Sequence, residues 1–197
     1  MPVAVLRVLV ALLMLAAVGW SALTAVDFVF VDFFGYFTNQ SNLLGAAVLL
    51  VGAVRLRRGI PPTTAWSVVR WTTTTCLVIV GVVYWTLLAP LQTPAGITSW
   101  TNLVVHGVGP AAVLVDWFAV RDRVAIPLRL LPVVLVYPLV WTAVALVRGA
   151  TDGWVPYPFL DPAQGYGVVG AWVLVIAGAF ALVAALTRFA ARRPARR

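Results

Sequence analysis

Two residues of this chain, far apart in sequence, have side chains suited to working together as a catalytic pair: Thr38 and His106. Thr38 opens the polar run Thr38, Asn39, Gln40, Ser41, Asn42 inside the stretch FFGYFTNQSNLL, and His106 is the only histidine. A hydroxyl is a poor nucleophile until a neighbouring base takes its proton. An imidazole, with an ordinary pKa of about 6.5, can do so near neutral pH. Acyl transfer also needs donors for the developing oxyanion. Asn39, Gln40 and Asn42 offer side-chain amides beside Thr38, and the first turn of a helix starting there adds free N–H groups and the positive dipole end. The plainer alternative is that Thr38 caps a helix start while the amides pack helix against helix. Residue type and spacing permit both.

The rest of the chain says what must position such a pair. It has 197 residues, 62% of them hydrophobic and 10% charged, with a mean hydropathy of +1.00. A soluble domain of this size could not hide that much apolar surface. All 14 basic residues are arginine and all six acids are aspartate, a bias that points to genomic base composition. The net charge of +8 does not imply nucleic acid, because the arginines sit at the ends of apolar runs. One cysteine, Cys76, and one histidine exclude an intramolecular disulfide, a multi-ligand His/Cys metal site and a haem with paired axial histidines. No cofactor is implied.

A helix needs roughly 20 residues to cross about 30 Å of hydrocarbon. Six runs qualify: 5–26, 35–54, 68–89, 101–120, 128–147 and 167–189. The predicted fold is therefore all-α, a single domain over 1–197 made of six transmembrane helices. The first run is longer than a signal-peptide core and reads as a retained span. Thirteen arginines fall on one side of this arrangement and only Arg148 on the other. The positive-inside rule then places both termini in the cytoplasm of a multi-pass cell-membrane protein. The segments 27–37, 90–100 and 148–166 face outward, carrying Tyr36, Trp100, Trp154, Tyr157 and Tyr166 as an interfacial belt. The last of them, rich in Pro, Gly and aromatics, reads as an ordered cap.

Depth follows from topology. Thr38 falls in the first turns of the second span and His106 about five residues into the fourth, both in the outer half. Asn102 lies one turn from His106 on the same helix face. Asp116 is ten residues past His106, about 15 Å along the helix, and is expected to pair with Arg121 or Arg123. If an acid orients the imidazole, Asp161 in the cap is the first candidate, with Asp27 and Asp32 behind it. Tyr84 and Trp85 could line a pocket, Thr72 to Thr75 read as structural, and Pro132 and Pro138 are expected to kink the fifth span.

Three segments resemble the androgen-induced-protein family of six-span membrane proteins, its prokaryotic members most of all. They are Gly35 to Leu44, an aromatic approach to a threonine; Asn102 to Asp116, with Asn, then His four residues on, then Pro, then an acid; and GWVPYPFLD from Gly153 to Asp161, the most specific. They occur in the family's order and span nearly the whole chain. The resemblance implies a threonine hydrolase, since characterised animal members cleave fatty acid esters of hydroxy fatty acids. It carries the nucleophile to Thr38 and the essential histidine to His106. The residues after Thr38 are more polar here than in the animal pattern.

Two function classes follow. The first is an integral membrane ester hydrolase acting on a membrane lipid or fatty-acyl ester, with Thr38 as nucleophile and His106 as general base. Asn39, Gln40, Asn42, Asn102, Tyr84 and Asp161 would then contact substrate. The second is a non-catalytic lipid- or small-molecule-binding protein on the same scaffold, with Thr38 and His106 too far apart to cooperate. A transporter ranks last, because neither inverted repeats nor midplane charges are evident.

Overall fold

The computed structural model describes residues 2–191, all of whose regular structure is helical. Arg192, Arg193, Arg196 and Arg197, used in the charge argument above, lie outside the described residues. The helices are α1 (Pro2–Thr24), α2 (Phe30–Gly35), α3 (Phe37–Arg57), α4 (Thr64–Val83), α5 (Pro94–Ile97), α6 (Trp100–Leu103), α7 (Gly109–Ala119), α8 (Val133–Thr151) and α9 (Tyr166–Ala191). With their continuations they form six helical stretches long and apolar enough to cross a membrane. Local chemistry sets several ends. The Thr63 hydroxyl accepts from the Trp66 N–H at the start of α4, and Ser99 accepts from the Asn102 N–H at the start of α6, as N-caps do. After α3, Gly59 takes a φ of +64° and the Ile60 N–H returns to the Arg55 carbonyl, the glycine-terminated Schellman arrangement.

Helix α4 is the axis of the bundle and packs against α3, α7, α8 and α9. Its Trp71 is fully buried and donates to the Thr187 hydroxyl of α9 at 3.0 Å. Thr74 and Thr75 turn their hydroxyls back onto the carbonyls of Arg70 and Trp71, so these threonines are structural, as expected. Leu6 and Leu9 of α1 and Leu174, Val175, Leu182 and Leu186 of α9 are exposed. Such outward apolar faces suit contact with hydrocarbon better than with water.

Two π turns interrupt the helical stretches, and both have a proline cause. Tyr84–Leu88 ends with the Ala89 N–H on the Tyr84 carbonyl, just before Pro90; Val104–Val108 ends with the Gly109 N–H on the Val104 carbonyl, just before Pro110. Proline has no N–H, and its ring clashes with the carbonyl four residues back. The preceding N–H reaches one residue further instead, and such single π turns recur at functional sites. For Pro110 the freed carbonyl belongs to His106, and the Trp85 indole N–H takes it at 3.0 Å. Gly81 makes this approach possible, since a Cβ there would lie 3.1 Å from the same carbonyl. In the fifth span Pro138 lies inside α8 and Pro132 is the N-cap of that helix.

Asp116 pairs differently from the sequence expectation. Its carboxylate takes Arg7 from α1 in a two-pronged contact at 2.7 and 3.0 Å, and Arg70 from α4 at 2.6 Å. Asp122 also binds both arginines. The nearer arginines in sequence, Arg121 and Arg123, follow the end of α7 and are not its partners in these ion pairs. Arg123 instead donates to the carbonyls of Trp117 and Val120. Arg7 and Arg70 are nearly fully buried, so two arginines and two aspartates form a neutral buried cluster joining α1, α4 and α7.

Candidate functional site

Thr38 is placed by a break between two helices. Helix α2 ends at Gly35, Tyr36 is extended, and α3 begins at Phe37. The last carbonyls of so short a helix have no partners within it. The amide of Asn39 donates to the Phe33 carbonyl at 2.7 Å, that of Gln40 to the Phe34 carbonyl at 2.9 Å, and the Trp141 indole to the Gly35 carbonyl at 2.8 Å. Asn42 donates to the Thr38 carbonyl at 2.9 Å and across to the Val105 carbonyl at 3.0 Å, tying α3 to the π turn that carries His106. Each of the three amides thus donates at least one N–H to a backbone carbonyl and helps hold the start of α3 in place.

His106 lies within reach of Thr38, with Nε2 3.4 Å from Thr38 Oγ1. Its Nδ1 is 3.2 Å from the Asn102 carbonyl oxygen. A carbonyl only accepts, so this contact puts the ring proton on Nδ1 and leaves Nε2 free to accept. Tyr84 stacks on the imidazole with ring centroids 3.8 Å apart and planes 14° apart. The Tyr84 hydroxyl accepts from the Asn102 amide and donates to Gln92 Oε1 at 3.1 Å. Among the described residues, the ring nitrogens of His106 contact Thr38 and the Asn102 carbonyl and no acid. Asp161 caps the turn 162–164 by accepting from the Ala163 N–H, and Asp32 pairs with Arg148 at 2.7 Å. The orienting group is the backbone of Asn102, one helical turn away.

The segment between α8 and α9 supplies a residue that the sequence reading placed only in an aromatic belt. Tyr157 descends from this cap so that its hydroxyl lies 3.3 Å from both the backbone nitrogen and the Oγ1 of Thr38. The Thr38 N–H donates to the phenol oxygen, and the phenol hydrogen is free to point at Oγ1. Burial pushes the Tyr157 phenol up to about 12, so it stays a neutral donor. The cap is held down by Trp154, whose ring packs on Tyr36 and against Gly35, where a Cβ would meet it at 2.8 Å. The signal available in the sequence was the segment GWVPYPFLD itself, which contains Tyr157.

Two cavities meet at Thr38 and Tyr157. One is polar and open, about 530 Å³, and is lined by Thr38, Asn39, Tyr84, Asn102, His106 and Tyr157 together with Gln92, Ser99 and Thr101. The other is a narrow apolar crevice of about 70 Å³ between α4, α8 and α9, walled by Val80, Val83, Leu135, Leu139, Ile176 and Phe180. Of the residues singled out in the sequence, Thr38, His106, Asn39, Asn102 and Tyr84 converge on the polar cavity. Gln40, Asn42 and Asp161 do not line it. No family model, curated protein or solved structure matches this chain.

Proposed function

We propose that this chain is an integral membrane ester hydrolase that uses Thr38 as nucleophile and His106 as general base. The observation that carries the reading is the 3.4 Å approach of Thr38 Oγ1 to an imidazole nitrogen whose opposite nitrogen is held by a carbonyl. The binding-only alternative needs these two groups too far apart to cooperate, and the distance counts against it. A working pair sits at roughly 2.6–3.2 Å and is often looser without substrate. The resemblance to the androgen-induced-protein family supports the same pair of residues.

In the proposed reaction the acyl chain enters the apolar crevice and the alcohol portion rests in the polar cavity. The Thr38 hydroxyl gives its proton to His106 Nε2 as Oγ1 bonds to the ester carbon. The carbonyl oxygen becomes an oxyanion, stabilised by the Tyr157 O–H. The ester C–O bond then breaks, and the imidazolium returns the proton to the departing alkoxide. Water repeats the sequence: His106 takes its proton, its oxygen attacks the acyl-threonine, and Thr38 leaves as a hydroxyl and the acid is released. Both termini on the cytoplasmic side, with the site opening toward the outer leaflet, fit the distribution of the arginines.

The test is hydrolysis of a p-nitrophenyl acyl ester by purified protein in neutral detergent. Wild type is expected to turn over, Thr38→Ala and His106→Ala are not, and Thr38→Ser is expected to retain activity. Full activity in either alanine variant would reject the mechanism.

A further inference from the structure

The polar cavity contains no ionised side chain. Among the described residues, its lining combines hydroxyls, amides, aromatic rings and the aliphatic Leu88, Leu91, Val105, Pro156 and Pro158 with His106, which must be neutral to act as a base. Ser21, Thr101, Ser99, Gln92, Asn39 and Asn102 provide the polar groups. The nearest arginine at this end of the bundle is not available to an anion. Arg148 is held by Asp32 at 2.7 Å and Asp152 at 2.8 Å, and it lies over the Trp154 ring at 4.3 Å. A cation would meet no carboxylate inside. Burying a charge without a partner is costly, whereas a hydroxyl can be matched by single hydrogen bonds.

Resting on the ester-hydrolase reading, we infer that the alcohol portion of the substrate is a neutral, hydroxyl-bearing group. Esters whose alcohol portion carries a phosphate, a quaternary ammonium or a carboxylate are discriminated against, the last setting this chain apart from the hydroxy fatty acid esters cleaved by animal members of the family it resembles. The cavity, at about 530 Å³, falls within the usual range of roughly 300–1,000 Å³ for small-molecule sites. It therefore has room for a polyol without requiring the cap to move.

The experiment compares four esters of one fatty acid with purified wild-type protein: a monoacylglycerol, an ester of a hydroxy fatty acid with a free carboxylate, a lysophosphatidic acid and an acylcholine. The p-nitrophenyl ester serves as the uncommitted control. The glycerol ester is expected to exceed each charged ester in kcat/KM by about tenfold or more. Placing a cation in the cavity, by Thr101→Arg or independently by Ser21→Arg, is expected to shift the ratio toward the carboxylate ester. A charged ester hydrolysed as well as the glycerol ester, with the control also cleaved, overturns this inference and leaves the hydrolase reading standing. Failure to cleave any ester, the control included, removes both.

Discussion

The Tyr84 ring lies flat against the His106 imidazole, with centroids 3.8 Å apart and planes 14° apart. Both residues sit in π turns created by a following proline, Pro90 or Pro110. The stack blocks one face of the imidazole and directs its edge toward Thr38. On the proposed reading Tyr84 is a positioning residue, acting through His106. Tyr84→Phe keeps the ring and is expected to retain activity within a few-fold. Tyr84→Ala releases the imidazole and is expected to lower kcat by about 10²-fold, the scale of an angstrom's misplacement. Equal losses in the two variants would show that the hydroxyl, and not the stack, matters. The measurement is steady-state hydrolysis, with kcat and KM resolved.

Tyr157 offers a second prediction. Removing one donor from an oxyanion site typically costs about 10²–10³ in kcat, so Tyr157→Phe is expected to lower kcat by that scale with little change in KM. The pH profile adds a sign. Activity should fall at low pH, because a protonated imidazole cannot take the Thr38 proton. On the alkaline side, the Tyr157 phenol is pushed up to about 12 by burial, against an ordinary tyrosine value of about 10. Because the raised value favours the neutral form, the donor keeps its hydrogen and no fall in activity is expected near pH 10. A plateau that breaks near that pH in wild type, but not in Tyr157→Phe, would contradict the assigned environment.

The Arg7, Arg70, Asp116 and Asp122 cluster makes a prediction about stability. Asp116→Asn leaves two buried arginines sharing one carboxylate. Breaking a buried ion pair by removing one partner costs about 3–5 kcal/mol. Thermal unfolding in detergent is expected to show a large loss of Tm. Whatever fraction remains folded should keep its hydrolysis rate, because the cluster lies about 15 Å along the helix from His106. A normal Tm, or a selective loss of rate, would contradict a purely structural role.

The long apolar runs made the six helical stretches legible in the sequence, because the length and composition of a span follow from the hydrocarbon it must cross. Thr38 and His106, which lie 3.4 Å apart, could be singled out in the sequence by side-chain type alone, since His106 is the only histidine. The partners of that pair could not. Asn39, Gln40 and Asn42 looked like free amides because the sequence does not show that α2 ends at Gly35 with carbonyls in need of donors. Asp161 looked like an orienter because an acid is the usual partner of an imidazole, whereas here a backbone carbonyl serves. Asp116 found Arg7 and Arg70, which are distant in sequence, and only the packing of α1, α4 and α7 brings them together. Tyr157 stood within the distinctive segment GWVPYPFLD, but nothing local says that its side chain turns inward to Thr38.

The most direct test of the central claim is where an acylating or phosphonylating reagent attaches. A fluorophosphonate carrying an alkyl chain would be incubated with the purified protein, and the modified peptide identified by mass spectrometry. The account predicts a single adduct on Thr38, reduced to background in Thr38→Ala and strongly slowed in His106→Ala. Labelling at another residue, or labelling of Thr38→Ala at the wild-type rate, would contradict it.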